Sequence, residues 1–209
     1  MLNHPMLEII KSRRSIRKFT DEKVSGEEIS CLIETAASAP SNSNRQPWKF
    51  IVLKSEEKKK EVTQAVLDKI EFLKSVLKSD EMLSVIDSYK DYLIFIKDAP
   101  VLIFALYKTP PLMVAEFFSE AKLKGIESMA QNELISTSMA VENLLLAAHI
   151  MGLGSCCTTG PLIAAAEIKT ILDVRPPFEI ASVIALGRYD CTPAAPVKKT
   201  VKDIIEVIE

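Results

Sequence analysis

The segment from Leu134 to Met151 is apolar or small at almost every position and closes on Gly152, a plausible C-cap. A helix that is apolar all round has no face for water, so it must be buried inside a large core or at a subunit interface. The chain has only 209 residues, and the second solution is the more attractive one. The most apolar part, Met139 to Met151, includes Glu142, Asn143 and His149 and is too short to span a bilayer. The N-terminal "MLNHPMLEIIKSRR" carries its charges after a short apolar stretch, the reverse of a secretory signal. Neither export nor membrane insertion is indicated, and a cytoplasmic protein is expected.

Ser25 followed by Glu28 reads as a capping box, and Ile29, Leu32, Ile33, Ala36 and Ala37 recur after it at helical spacing. Pro40 stops that helix. Three short β-branched runs, "WKFIVLK" (48–54), "PVLIFALY" (100–107) and "EIASVIALG" (179–187), predict buried strands. Between the first two, residues 56–97 are rich in lysine and glutamate. Val62, Val66, Ile70, Leu73 and Leu77 stand there at helical spacing, and "EEKKKE" (56–61) is expected to be the solvated face. Residues 109–133 hold two prolines and paired phenylalanines without a strand pattern, which predicts a lid or a substrate-facing element. The chain then continues from Gly152 through "GLGSCCTTGP" into a helix with Ile168, Ile171 and Leu172 inside. No linker or repeat divides it, so a single domain over 1–209 is expected.

Composition removes several kinds of chemistry. With 26 basic and 28 acidic residues, the surface as a whole is not built for nucleic acid or anionic membrane. Cys31, Cys156, Cys157 and Cys191 lack paired metal-ligand spacing, and they are expected to be reduced and buried. "GLGSCC" lacks the third glycine of a dinucleotide fingerprint and follows a helix instead of a strand. A structural hydrogen bond suits His149 better than a nucleophilic pair with a following cysteine.

Two polar segments remain. "IKSRRSIRKF" (10–19) gathers Lys11, Arg13, Arg14, Arg17 and Lys18 with no acid from Ile9 to Thr20. Such a cluster repels itself unless it is a solvated helix end or holds an anion. Arginine's planar fork suits phosphate oxygens, and Ser15 adds a hydroxyl. "APSNSNRQPW" (39–48) brings Ser41, Asn42, Ser43, Asn44 and Gln46 together in a stretch bounded by prolines.

On these residues the chain resembles the nitroreductase family of FMN-dependent oxidoreductases. The matching stretches are "RRSIRKF" (13–19), "AASAPSNSNRQPWKFIV" (36–52), "ENLLLAAHIMGLGSCC" (142–157) and, more weakly, "LGRYDCTPAAPVKKTVKDII" (186–205). Matching is poor only in 56–97 and 109–133. The resemblance implies an α+β fold, a mainly antiparallel sheet with helices on both sides, assembled as an intertwined homodimer with FMN at the subunit interface. The apolar helix at 134–151 would then be the dimer helix.

Carried over by position, the resemblance assigns Arg13, Arg14, Ser15 and Arg17 to FMN from one subunit. Arg13 and Ser15 would meet the phosphate, and Arg17 the N1/O2 edge of the ring. Pro40, Ser41, Asn42 and Asn44 would approach from the other subunit. Backbone around Thr159 and Gly160 would run beside flavin N5, and Lys198, with Lys199 as the alternative, would complete the phosphate clamp. Many relatives have glutamate where Thr159 stands and arginine where Lys198 stands. The implied reaction is hydride transfer from NADH or NADPH to the flavin and then to a nitroaromatic or quinone acceptor, with no protein acid or base named. Two alternatives stand beside it: a specialised member using oxygen or a dedicated substrate, and a flavin-binding module without turnover.

Overall fold

In chain order the elements are α1 (Pro5–Ser12), α2 (Gly26–Ala37), β1 (Trp48–Leu53), α3 (Glu56–Val76), α4 (Asp80–Ile94), β2 (Val101–Lys108), α5 (Asn132–Ile150), β3 (Gly154–Thr158), α6 (Ala165–Ile171) and β4 (Phe178–Gly187). They come from a computed structural model that describes residues 4–109 and 131–208. The strands form one antiparallel sheet in the order β1-β2-β4-β3. This is the α+β architecture that the sequence implied.

The sheet is covered on both faces because its central strands are apolar on both. Val101, Ile103 and Ala105 of β2 join Ile184 and Leu186 of β4 in a cluster roofed by α2 and α5. Leu102, Phe104 and Leu106 point the other way and meet Val183, Ala185, α3 and α6. β1 departs from expectation. Among the described residues it pairs only with β2, and Lys49 and Val52 are exposed, so it is an edge strand there and not a buried one. The glycine-rich passage after Gly152 also holds a strand, β3, which pairs with β4 along its length.

The capping box of α2 forms as read: the Glu28 amide donates to Ser25 Oγ, and the Ser25 amide to the Glu28 carboxylate. Residues 56–97 do not make one helix. They break at Leu77, and Ser79 caps the new start by accepting from the Met82 amide. Nor is "EEKKKE" wholly solvated. Lys59 is buried, with Nζ donating to the carbonyls of Ala99 (2.8 Å) and Pro100 (3.3 Å) and meeting Glu56 Oε1 at 2.6 Å. Its ammonium ties the start of α3 to the start of β2. The cysteines are all free, but only Cys156 is buried; Cys31, Cys157 and Cys191 are exposed.

Gly152 ends α5 with φ +70°. Its amide reaches the His149 carbonyl, and the Leu153 amide reaches that of Ala148, the double closure that a left-handed residue after a helix permits. Within this chain α5 is not buried all round. Ile135, Met139 and Ile150 are 47%, 46% and 63% exposed, and Leu146 is half-buried on the same face. At 100° per residue these four fall within one narrow stripe, with Glu142 at its edge. Beyond β4, residues 190–208 are exposed throughout, including Val197, Val201, Ile204, Ile205, Val207 and Ile208.

Candidate functional site

The cation cluster sits on an arm between α1 and α2 that is fixed at several points. The Ile16 amide donates to the Ser155 carbonyl of β3 at 2.9 Å, and Ile16 itself is buried. A Cβ on Gly154 would come within 2.8 Å of the Ile16 side chain, so the missing side chain lets the arm lie against β3. Further along, the Thr20 amide donates to the Arg188 carbonyl. At the other end Ser12 Oγ and His149 Nε2 are 2.8 Å apart, joining α1 to α5. That is the structural hydrogen bond expected of His149. Burial, and then Arg13 and Arg14, hold its imidazole below the ordinary histidine value.

Around this arm a cavity of about 560 Å³ is lined by Arg13, Arg14, Ser15, Arg17, Lys11 and Lys198 among others, and among the described residues no carboxylate lines it. Lys198 is therefore brought to the cluster, whereas Lys199 is not among the lining residues. Arg13 is half-buried, with Nε 4.0 Å from Glu142 Oε1. Arg14 spends one nitrogen on the backbone, donating from Nη1 to the carbonyls of Lys11 and Arg13. The Arg17 guanidinium lies over the Tyr92 and Phe95 rings, at 5.6 and 5.8 Å from their centroids. A concave wall of cations with guanidinium and hydroxyl donors fits a phosphate group in charge and in hydrogen-bond type.

The polar loop is held elsewhere. The Asn42 amide donates to Ser136 Oγ on α5, the Gln46 amide to Ser41 Oγ, and Gln46 Nε2 to Asn44 Oδ1. Ser43, Asn44 and Gln46 all have positive φ, at 50°, 53° and 45°. Three non-glycine residues in the left-handed region cost about 1 kcal/mol or more each, so the surrounding contacts over-determine this loop. Pro40, Asn42 and Asn44 are exposed. Along α5, the loop's anchor at Ser136 and the arm's anchor at His149 are about 20 Å apart. One copy of the chain does not bring the two segments together.

Thr159 and Gly160 follow β3, about 16 Å of extended chain beyond the bridge between Ser15 and Ser155. Thr159 is exposed, and the Gly160 amide donates to Thr158 Oγ1. A Cβ at position 160 would stand 2.7 Å from Leu93 Cδ2, so a larger residue there requires the Leu93 side chain to shift. Burial pushes the Cys156 thiol up, which keeps it protonated and poorly nucleophilic.

Sequence reasoning missed the contacts that hold these pieces. Arg45 Nη1 donates to the buried carboxylate of Glu133 at 3.0 Å, pinning the polar loop to the first turn of α5. The signal was an unpaired arginine in the loop and an acid placed where a helix N-terminus favours one. The expected lid falls mostly on residues 110–130, which lie outside the described residues. Among the described residues no group of three or more His, Cys, Asp or Glu is placed to hold a metal, and no helix is long and apolar enough to cross a membrane.

The fold is that of a flavin-type oxidoreductase scaffold seen in solved relatives. A BluB-like flavoprotein from Clostridium difficile superposes with a TM-score of 0.81 at 26% identity, covering 99% of this chain and 100% of that one. A nitroreductase with bound FMN from Desulfitobacterium hafniense superposes at 0.74 with 22% identity over the full length of both. In sequence, a Methanothermobacter thermautotrophicus protein provisionally named NADH dehydrogenase/NAD(P)H nitroreductase is 30% identical over 184 residues, 87% of this chain and 76% of that one. The family model described as the nitroreductase family matches residues 10–188. The chain belongs to the nitroreductase family.

Proposed function

We propose that this protein is an FMN-dependent NAD(P)H oxidoreductase that works as an intertwined homodimer in the reducing cytoplasm. The observation that carries the reading is the cavity of about 560 Å³ on which Arg13, Arg14, Ser15, Arg17 and Lys198 converge without a carboxylate among the described residues. The family and the FMN bound to a solved relative supply the identity of the anion. Arg13, Ser15 and Lys198 hold the phosphate. Arg17 stands further along the arm, where a cation stabilises negative charge at the N1/O2 edge of a reduced ring. Lysine at 198 offers a point charge where arginine would offer a fork, so this end of the clamp is the weaker one.

The dimer supplies what one chain lacks. If two copies of α5 pack antiparallel across the exposed stripe, setting Ile135 of one copy opposite Ile150 of the other, then Ser136 falls opposite His149. The loop carrying Pro40, Ser41, Asn42 and Asn44 is thereby delivered to the cation arm of the second copy. Such a two-fold interface also covers the apolar stripe. The exposed apolar tail over 190–208 and the open edge of β1 support an intertwined arrangement.

When bound, FMN supplies the redox chemistry, taking a hydride from NADH or NADPH at N5 and returning two electrons to a nitroaromatic or quinone acceptor in alternation. Backbone at Thr159 and Gly160 borders the N5 side. The chain's residues bind, orient and tune; none is assigned as an acid or base. Purified protein should be yellow with a flavin spectrum, and anaerobic NADH or NADPH should bleach it. Colourless protein that takes up no added FMN contradicts the reading. A second reading keeps FMN and spends its electrons on oxygen or on one dedicated substrate. A Caenorhabditis elegans relative named iodotyrosine dehalogenase 1 homolog, 32% identical over 195 residues, supports the dedicated-substrate form of this reading. Steady NAD(P)H oxidation with oxygen as sole acceptor would select it.

A further inference from the structure

A larger cavity adjoins the flavin site on the far side of Arg17. It measures about 930 Å³ and lies between the arm, the start of α3 and the start of β2. Five cations line it without a carboxylate in ion-pair contact among the described residues: Arg17, Lys18, Lys23, Lys54 and Lys97. Lys59 also lines it, but that ammonium is already held by two carbonyls and by Glu56, whose charge it offsets. Asp21 and Asp98 are the remaining acids, so the free charge is five against two. In the same wall, Thr20 Oγ1 is buried with no hydrogen-bond partner. Concave walls focus such a field on an entering anion.

The cavity and the flavin site share a wall residue. Arg17 lines both, and a smaller cavity against Tyr92 and Phe95 shares Arg17, Lys18, Lys97 and Asp98 with the larger one. The cations thus follow one another along the arm, from Arg13 at the phosphate end, past Arg17, to Lys18 and Lys23. The chain from Arg17 to Lys23 spans at most about 20 Å. A nicotinamide dinucleotide stacked on the flavin with its adenosine half directed away from the flavin phosphate would bring that half toward these lysines. We propose that the lysine-lined cavity receives the ribose phosphate that distinguishes NADPH from NADH, making NADPH the preferred donor. The proposal rests on the FMN oxidoreductase reading above.

The test uses the FMN-loaded protein and the exposed pair Lys23→Ala/Lys97→Ala, with Lys60→Ala, on the outer face of α3, as a control. Loss of charge-assisted contacts to a dianion should raise the KM ratio of NADPH to NADH about tenfold. Calorimetry with adenosine bisphosphate, carrying the ribose phosphate, against adenosine monophosphate should show the same loss in binding. Lys60→Ala should change neither. An unchanged ratio, or an equal rise for both donors, overturns the proposal. If neither nicotinamide reduces the wild-type flavin, the oxidoreductase reading fails instead, and calorimetry still decides whether the cavity prefers the bisphosphate.

Discussion

The two ends of α5 carry the two halves of one site. Near its N-terminus, Ser136 and Glu133 hold the strained polar loop through Asn42 and Arg45. Near its C-terminus, His149 holds the arm through Ser12, while Glu142 at mid-helix faces Arg13. The first end presents neutral donors and acceptors, with Arg45 and Glu133 paired to each other; the second presents net positive charge. Each half is rigid where it stands, and the helix keeps them apart. A helix can thus act as a spacer that makes a site impossible in one chain and natural in two.

The strongest way to break this comparison is to keep the copies apart. Met139→Glu puts a carboxylate in the middle of the exposed stripe, and an ion in an apolar interface costs several kcal/mol, about two orders of magnitude or more in dimer affinity. Sedimentation should show monomers, and FMN should be lost although neither half-site is touched. Arg13→Ala addresses one half. It removes a charge-assisted contact of about 2 kcal/mol, roughly thirtyfold in FMN affinity. Thermal unfolding of the FMN-free protein should stay near wild type, because Arg13 packs no core. Ser136→Ala addresses the other half by freeing the Asn42 amide. A fall of about 1 kcal/mol in FMN binding is expected by fluorescence titration, with the dimer intact.

The smallest effect is on His149. Its value is depressed by burial and by the two arginines, so its contribution to stability is complete above the ordinary histidine value near 6.5 and is lost as pH falls through the depressed one. A bound dianion beside Arg13 and Arg14 offsets part of their field. Proton NMR should show the His149 value rise when FMN is added. A value that stays put would separate the arm from the phosphate.

Much of this was legible in the residues. The capping box at Ser25, the strand at 101–108 and the apolar segment ending at Gly152 each have a local signature. The cluster at 13–17 and the loop at 40–46 were found because their polar residues have no structural use in sequence. What escaped was set by tertiary pairing. β3 is built from Gly154, Ser155, Cys156, Cys157 and Thr158, which lack the apolar bulk of a strand and gain it from β4. Lys59 looks solvated until the carbonyls at Ala99 and Pro100 are brought to it. Val52 reads as core but faces out, because nothing in 48–54 reveals which strand is last in the sheet. The ends of α5 were legible only as a mixture of small and apolar residues, and their separate anchors required the fold.

The most direct measurement is FMN stoichiometry in a mixed dimer, with Arg13→Ala in one copy and Asn42→Ala/Asn44→Ala in the other, purified through two different tags. A site shared between copies leaves one intact combination, the arm of the second with the loop of the first. One wild-type-affinity FMN per mixed dimer is predicted, although either variant alone binds poorly. If no wild-type-affinity site appears in the mixed dimer, the arm and the loop do not serve one flavin across the interface.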